Sequence, residues 1–255
     1  MRDILSRRER PTLTALPVPR LLVAFDFDGT LAPLAATPGE ARMRPATRRL
    51  LQTLARGIPC VVISGRRRAE VARHLRGVRG AWIVGNHGLE DRAGRRPSPR
   101  LASWRTSLAE RLAGQPGVWV EDKRFTLAVH YRQAPQPARA RAAILRAAST
   151  LAGARVGDGT RVIDVVPRSA PDKGRALARL LTRAGRSTAV YVGDDETDEA
   201  AFARARSLGG LAIRVGTTRA SCATHFLRSQ WHIDQLLRLL IRVFGSGDAT
   251  RHHGR

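Results

Sequence analysis

The stretch that decides the fold is residues 21–30, LLVAFDFDGT. Residues 21–27 form a short apolar run that ends in acid, and this pattern predicts a buried strand. Asp26 and Asp28 lie two positions apart at the end of that strand, so both carboxylates can face one cavity. Gly29 permits the sharp turn that follows. Because two close carboxylates repel unless a cation or a shared proton relieves them, the stretch predicts a cation site, and Mg²⁺ prefers such oxygen ligands. A helix cap, the alternative, needs only one Asp.

Strands alternate with helices on the C-terminal side of this stretch. Residues 46–55 have helical spacing, residues 58–63 predict a second buried strand, and residues 67–75 predict another helix. A third strand is predicted at residues 81–84. This alternation indicates a parallel sheet covered by helices, in which ligands bind outside the carboxyl ends of the strands. We therefore expect the polar residues that follow each strand to converge on one edge of the sheet.

The pattern changes near residue 91. Residues 91–100 are rich in Arg, Gly and Pro and predict a linker or a hairpin. Beyond them the sequence predicts a helix, an alternating stretch, a second helix and a strand, at residues 101–113, 118–132, 138–151 and 161–166. Helices grouped with alternating strands indicate an α+β insert with a half-exposed sheet. The α/β pattern returns after Lys173, with a strand at residues 189–192 and a helix from about Thr197.

These patterns predict the domain organisation. We expect an α/β protein with a Rossmann-like parallel-sheet core formed by residues 20–92 and 167–245, and an inserted α+β domain formed by residues 93–166. Residues 1–19 are rich in Arg and Pro and lack the apolar stretch of a secretory signal, so we expect a flexible N-terminal tail. Residues 246–255 are expected to form a flexible C-terminal tail.

The composition excludes several classes of protein. The formal net charge is +24, but the arginines are spread along the whole chain without a basic block, which argues against a nucleic-acid binder. The sequence has no apolar run of membrane-spanning length, and Cys60 and Cys222 make no disulfide framework. We expect a cytoplasmic monomer without a membrane partner. Only Lys123 and Lys173 are lysines, which suggests positions where the wide arginine fork cannot serve, such as a crowded phosphate site.

Three further polar clusters lie at strand or helix junctions. Residues 193–199, GDDETDE, concentrate acid in a basic protein and predict a cation site, although Glu196 and Glu199 suit the first turn of a helix. Residues 64–66, SGR, offer a hydroxyl and backbone amides that can hold phosphate, as an ordinary serine cap would also do. Residues 172–174, DKG, open a helix with a lysine that can neutralise a phosphate.

In this order, the four motifs resemble those of the haloacid dehalogenase superfamily, over residues 21–244. The resemblance implies a phosphatase in which Asp26 attacks phosphorus and forms an aspartyl-phosphate. Asp28 would protonate the leaving alcohol and then activate the hydrolytic water. Ser64 and Lys173 would hold the transferring phosphoryl group.

The resemblance also implies the cofactor. Mg²⁺ would be bound by the Asp26 carboxylate, the Asp28 backbone carbonyl and Asp194. Asp195 or Asp198 would lie in its outer coordination sphere.

The insert lies where this superfamily has a C2-type cap, which covers the site and selects the substrate. Its sequence clusters resemble the trehalose-6-phosphate phosphatase branch, at residues 85–90, 120–125, 130–132 and 161–167. The branch implies hydrolysis of trehalose 6-phosphate to trehalose and phosphate in trehalose biosynthesis, with Glu121 and Lys123 on the sugar hydroxyls. The other candidates for substrate binding are Thr30, Gly65, Arg66, His87, Gly88, His130, Arg132 and Asp164. Asp164 stands where the branch usually has Glu, so any sugar contact there would be shorter.

Other interpretations of these residues stay open. Glu121 and Lys123 also suit an exposed cross-strand face, and His87 and His130 suit structural roles. The enzyme could act on another sugar phosphate, such as sucrose phosphate. A non-enzymatic phosphoacceptor domain of receiver type combines similar residues, but receivers are about half this length and their acidic pair precedes the acceptor Asp.

Overall fold

The computed structural model describes residues 1–35, 40–91, 96–159, 161–218 and 220–245. The strands are β1 (Arg2–Asp3), β2 (Leu21–Phe25), β3 (Cys60–Ile63), β4 (Ala81–Val84), β5 (Trp119–Asp122), β6 (Leu127–His130), β7 (Ala154–Gly159), β8 (Val162–Pro167), β9 (Thr188–Gly193), β10 (Leu211–Val215) and β11 (His225–Leu227). The helices are α1 (Arg10–Thr14), α2 (Pro45–Gly57), α3 (Arg68–His74), α4 (Leu101–Arg111), α5 (Pro137–Ser149), α6 (Lys173–Arg183), α7 (Glu199–Ser207) and α8 (Ile233–Phe244).

The core is a seven-stranded parallel sheet in the order β1-β11-β10-β9-β2-β3-β4. The strand β2 lies inside it, paired with β3 and β9, and all five of its residues are buried. Its Val23 and Phe25 belong to the apolar layer under α2 and α8, whereas Leu22 and Ala24 pack on the other face, under α6 and α7. Burial on both faces explains why β2 is continuously apolar rather than alternating. The predicted α/β core is therefore confirmed.

The inserted domain is a four-stranded antiparallel sheet in the order β5-β6-β8-β7, with α4 and α5 packed on one face. That face is apolar, and its helices contribute Trp104, Leu108 and Ile144 to the buried layer. The register places Glu121 beside Ala128 and Ala128 beside Asp164, on the opposite face. The predicted α+β cap is confirmed, and its polar face is turned toward the core.

The strand β7 was not predicted. It lies at the edge of the cap sheet, and its sequence ARVGDG has Val156 as its single β-branched residue, beside two glycines and an aspartate that are depleted in strands. Gly159 comes close to the core, since a Cβ atom there would lie 3.6 Å from the Asp195 carboxylate. A strand that approaches another domain this closely favours glycine, which weakens its sequence signal.

The prediction of a flexible tail at residues 1–19 differs from the structure. The strand β1 pairs in parallel with β11, and Ile4 and Leu13 are fully buried in the core. His225 and Glu9 form a buried pair, with the His225 Nε2 atom 2.9 Å from Glu9 Oε2. Isolated apolar residues between arginines and prolines give no periodic pattern, so their burial depends on tertiary packing. Residues 246–255, the predicted C-terminal tail, lie outside the described residues.

Two further expectations concern the cysteines and the membrane. Cys60 is buried, and both Cys60 and Cys222 are free thiols. Among the residues described, no helix has the length and apolar character needed to cross a bilayer.

Candidate active site

The carboxyl ends of three neighbouring strands meet at one edge of the core sheet. Asp26 follows β2, Ser64 follows β3, and Asp194 follows β9. The Asp26 amide donates to the Val192 carbonyl at 2.8 Å. This bond extends the pairing of β2 with β9 by one residue and fixes the position of the aspartate. Parallel strands thus bring together residues that are up to 168 positions apart in the sequence.

Lys173 lies at the bottom of this site. Its Nζ atom is 3.1 Å from Asp26 Oδ2 and 2.8 Å from Asp198 Oδ1, and its side chain is only 2% exposed. The position is set by α6, which Lys173 opens and which packs so tightly on α7 that a Cβ on Gly174 would lie 2.3 Å from the Ala200 carbonyl oxygen. Burial would lower the pKa of Lys173, but the carboxylates of Asp198 and Asp26 outweigh it and hold that pKa well above its ordinary value. The lysine is therefore a permanent cation here.

Asp198 is the anchor of the acidic cluster. Its Oδ1 atom accepts from Lys173 and from the Tyr191 hydroxyl, and its Oδ2 atom accepts from the amides of Asp194 and Asp195 at 3.0 and 3.1 Å. A carboxylate has about four lone-pair positions, so these four bonds use its whole capacity. Asp198 thus holds the loop after β9 in place.

Asp194 approaches Asp26 across the turn that follows β2. The Thr30 hydroxyl donates to Asp194 Oδ1 at 3.0 Å. Gly29 has a φ of 74°, and a Cβ there would lie 2.0 Å from Asp194 Oδ2. Glycine is therefore required twice, for the backbone conformation and for the space that Asp194 fills.

Asp26 and Asp194 suit a metal ion, whereas the four hydrogen bonds of Asp198 already use its oxygens. One oxygen from each of Asp26, Asp194 and Asp198 lies within 4.8 Å of the others. Burial raises the pKa of Asp26 well above its ordinary value, Lys173 opposes this rise, and Asp198 and Asp194 add to it. Burial and Asp198 likewise raise the pKa of Asp194. A cation between them would favour the charged forms, and hard oxygen donors fit Mg²⁺ or a similar ion.

Asp195 is not in this group of three. Its carboxylate accepts from the Thr197 amide at 2.8 Å and from the Thr197 hydroxyl at 2.7 Å, and it caps the short 3₁₀ turn at Glu196–Asp198. It also lines the cavity.

Arg66 holds Asp28. The Arg66 Nε and Nη2 atoms donate to the two oxygens of Asp28, each at 2.6 Å, in a fork that fixes the plane of the carboxylate. The Arg66 amide donates in turn to the Ser64 hydroxyl at 3.1 Å. Ser64 therefore positions the turn that carries Arg66.

The cap contributes a second charged cluster. The Lys123 Nζ and His87 Nε2 atoms lie 3.2 and 3.1 Å from the two oxygens of Asp164. Burial would raise the pKa of Asp164, but Lys123 and His87 outweigh it and hold that pKa far below its ordinary value. Beside this cluster the His130 Nε2 atom is 2.8 Å from Glu121 Oε2. Because His87 comes from the core, this cluster joins the two domains.

Other contacts close the cap on the core. The Asn86 amide group donates to the Lys123 carbonyl at 3.2 Å and accepts from the Thr126 hydroxyl at 2.9 Å. Arg67 donates to the Asp122 carbonyl, and Arg132 donates to the Ala35 carbonyl. The cap is therefore docked over the acidic cluster.

A cavity beside the acidic cluster lies between the domains. Of the residues predicted from the sequence, it is lined by Asp26, Asp28, Gly65, Arg66, His87, Glu121, Lys123, His130, Arg132, Asp164, Lys173, Asp194 and Asp195. Four predicted residues do not line it. Ser64, Thr30 and Asp198 lie behind its wall and act through hydrogen bonds, whereas Gly88 packs against α6, where a Cβ would meet Ala176 at 2.6 Å.

Sequence reasoning missed other lining residues, among them Leu34, Trp119 and Arg161. Arg161, which precedes β8, adopts a φ of 62°, which is unusual for a residue other than glycine. Trp119 begins β5 two residues before Glu121, so the alternation of that strand was the available signal. Leu34 follows the first motif without any pattern that distinguishes it.

Comparison with known proteins agrees with this geometry. The family model described as Trehalose-phosphatase matches residues 24–230. "Trehalose-phosphate phosphatase" of Mycobacterium ulcerans (strain Agy99) is 38% identical over 157 residues, which are 57% of this chain and 40% of that protein. The protein of the same name from Mycobacterium leprae is 41% identical over 120 residues, 43% of this chain and 28% of that protein. The matches thus span less than half the length of these curated relatives.

Two solved structures share the fold. The C-terminal domain of the C. albicans trehalose-6-phosphate phosphatase superposes with a TM-score of 0.77 at 21% identity, covering 92% of this chain and 96% of that one. Aspergillus fumigatus trehalose-6-phosphate phosphatase superposes with a TM-score of 0.65 at 23% identity, covering 97% and 100%. The family model covers most of the chain, from the first catalytic motif to beyond the acidic cluster. The chain belongs to the trehalose-phosphatase family.

Proposed function

We propose that the protein is a Mg²⁺-dependent phosphatase that hydrolyses trehalose 6-phosphate to trehalose and phosphate through an aspartyl-phosphate. The observation that carries this proposal is the position of Lys173, between Asp26 and Asp198 at the bottom of a cavity. The opposite wall of that cavity carries Glu121 and Lys123. The cavity thus offers a nucleophile and a cation at one end and polyol-binding groups at the other.

In the first step, the Asp26 carboxylate attacks phosphorus and the bond to the sugar oxygen breaks. Lys173 neutralises charge on the phosphoryl oxygens, and phosphoryl transfer depends mainly on such neutralisation and on positioning. Asp28 donates a proton to the leaving oxygen. Arg66 contacts both oxygens of Asp28 and fixes the plane of its carboxyl group, which limits the directions along which the protonated form can donate to the leaving oxygen.

In the second step, Asp28 takes a proton from water, and the water oxygen attacks phosphorus. The bond between phosphorus and the Asp26 oxygen breaks, which releases phosphate and regenerates the nucleophile. Dividing one displacement into two eases each of them. The cap excludes water in the first step and must open to admit it for the second.

Asp26, the backbone carbonyl of Asp28 and Asp194 would hold Mg²⁺. When bound, this ion neutralises charge on the phosphoryl group and on the carboxylates. Asp198 organises the loop that carries Asp194 and Asp195, and we assign both Asp195 and Asp198 to the outer coordination sphere.

The substrate is inferred from the cap and from the names of the relatives. Glu121 accepts hydrogen bonds and Lys123 donates them, a combination that matches sugar hydroxyls. His87, His130 and Asp164 hold these two groups in place through the contacts described above. The curated relatives are named trehalose-phosphate phosphatases.

We further propose domain limits that follow the two sheets: a core of residues 1–92 and 167–245, and a cap of residues 93–166. The N-terminal residues join the core because β1 and Ile4 pack on it. A monomeric state and a cytoplasmic location remain predictions.

The test is phosphate release from trehalose, sucrose and glucose 6-phosphates, each measured with Mg²⁺ and with EDTA. We expect Mg²⁺-dependent release with a clear preference for trehalose 6-phosphate. Preference for another ester would retain the mechanism and refute the assignment of the substrate. No release from any ester would favour a phosphoacceptor domain.

A variant tests the role of the cap. Lys123→Ala removes a cation from the cavity wall, so we expect it to lower kcat/KM more for trehalose 6-phosphate than for a small aryl phosphate. Equal losses on both substrates would contradict a sugar-binding role for Lys123.

A further inference from the structure

An exposed tryptophan lies at the entrance of the cavity. Trp119 is 45% exposed and lines the cavity from the cap side, whereas Leu34, which is 50% exposed, lines it from the core. Single exposed apolar side chains are ordinary, but exposed apolar surface rimmed by polar residues can mark a ligand-binding groove, and both of these residues line the same polar cavity. Neither residue has a part in the proposed chemistry.

The exposed fraction of the side chains falls along β5 and the residue after it, from Trp119 at the entrance to Lys123 inside the cavity. Trp119, Glu121 and Lys123 alternate along the strand and so lie on one face. The Trp119 residue is 45% exposed, the Glu121 side chain is 23% exposed, and the Lys123 side chain is 11% exposed. The four steps from Trp119 to Lys123 span about 13 Å at the rise of a strand, which leaves room for two sugar rings arranged end to end. The phosphate end is the buried one, because Asp26 is only 5% exposed.

The orientation of the indole is fixed from behind. The Trp119 ring stacks on the His130 ring with centroids 4.0 Å apart and an angle of 16° between the planes. His130 is in turn held by Glu121. One face of the indole is therefore covered by His130, and the ring is held in one orientation. This preorganisation reduces the loss of side-chain entropy that ligand binding must offset.

We propose that Trp119 determines specificity for a disaccharide by stacking on the sugar ring that does not carry the phosphate. A pyranose presents C–H groups on its faces and hydroxyls on its rim. The flat indole suits the face, and Arg132 and Arg161, which also line the cavity, suit the rim. A monosaccharide phosphate bound at Asp26 would not extend to Trp119.

This inference rests on the proposed function, because it takes a disaccharide phosphate as the substrate. The experiment compares wild type, Trp119→Ala, Trp119→Phe and Trp82→Ala on trehalose 6-phosphate and glucose 6-phosphate. Trp82 is the matched control, since it is 37% exposed on β4 of the core and does not line the cavity. We expect Trp119→Ala to raise KM for trehalose 6-phosphate about three- to tenfold, the factor for one lost aromatic contact. It should leave kcat and the KM for glucose 6-phosphate unchanged, and Trp119→Phe should restore part of the loss.

Binding of trehalose itself provides a readout that does not need turnover. Trehalose should change the tryptophan fluorescence of wild type saturably, and this change should be lost in Trp119→Phe but kept in Trp82→Ala. If wild type does not hydrolyse trehalose 6-phosphate and this signal persists, the proposed function fails and the stacking role stands. If Trp119→Ala leaves KM unchanged, or raises it equally for both substrates, the stacking role is overturned. Absence of both turnover and signal refutes both.

Discussion

Replacing Lys173 by methionine tests the electrostatics of the site most directly. The side chain is 2% exposed, and its ammonium is the shared partner of Asp26 and Asp198. Methionine retains most of the apolar stem and removes the ammonium, with its charge and its hydrogen-bond donors. In metal-free protein, the variant buries the acidic cluster without its central cation.

The loss of stability follows from this burial. Removing one partner of a buried ion pair costs about 3–5 kcal/mol, because an uncompensated charge remains. Asp26, with its raised pKa, can avoid part of that cost by taking up a proton. In wild type Lys173 lowers the pKa of Asp26, so removing Lys173 raises that pKa further. At pH values above the folded pKa of wild type, the folded variant still holds a proton that wild type has lost, so the deficit of Lys173→Met should grow with pH there, by up to about 1.4 kcal/mol for each pH unit.

The assay is urea unfolding in EDTA at pH 6 and pH 8. Lys123→Met is the matched control. Asp164, the partner of Lys123 in wild type, keeps its contact with His87 in this variant, so the loss of unfolding free energy should be smaller than in Lys173→Met. Activity of Lys173→Met with Mg²⁺ should fall about 10²- to 10³-fold, as for the loss of one group that stabilises transition-state charge. If Lys173→Met were within about 1 kcal/mol of wild type at both pH values, a level far below the cost of an unpaired buried charge, the electrostatic reasoning would be refuted.

Three further predictions concern the nucleophile, the cap and the N-terminal segment. Asp26→Asn should abolish turnover without lowering the urea midpoint in EDTA, because it removes a negative charge from an acidic cluster. Full activity of this variant would show that Asp26 is not the nucleophile. Asp164→Asn should cost about 3 kcal/mol near pH 6. Because the folded pKa of Asp164 is lowered, its contribution is present above pH 4 and is lost as pH falls. The difference from wild type, measured by urea unfolding, should therefore shrink below that pH, and a constant difference would count against the ion pair. Deleting residues 1–20 removes the fully buried Ile4 and Leu13, and burial of each side chain stabilises the fold by about 1.5–3 kcal/mol. We therefore expect a lower thermal midpoint, and a midpoint equal to that of wild type would instead support a loose tail.

The core could be predicted from the sequence because its signals are local. Each buried strand is a continuous apolar run, and each run is followed by the polar residues that the parallel sheet brings together. The strand at residues 81–84 was predicted with the bounds that β4 has, and the predicted strand at residues 21–27 extends only two residues beyond β2. The chemistry lies on these strands, so its location was predictable.

The details of the site depend on contacts between distant segments, and those have no local signal. The sequence singled out Asp164 and His87 separately, but their pairing requires the cap to be docked on the core. The stacking of Trp119 on His130 likewise depends on the register of β5 and β6. The strand β1 and the Glu9–His225 pair were missed for the same reason. Apolar residues without periodicity become visible only when their partner, β11, is in place.

The two lysines show how composition can report on packing. In a chain whose positive charge is otherwise arginine, Lys123 and Lys173 are both nearly buried, and each contacts carboxylate oxygens at about 3 Å. Lys173 reaches two carboxylates with a single ammonium, beside a helix junction where a Cβ on Gly174 would already collide with Ala200. An arginine fork is wider and planar, so at that point it would need space that the contact between α6 and α7 does not leave. Arg66, by contrast, meets Asp28 from one side, where a planar fork matches both oxygens. Lys173 alone of these three cations reaches two carboxylates from one point, which marks it as the position where substitution by arginine would be least tolerated.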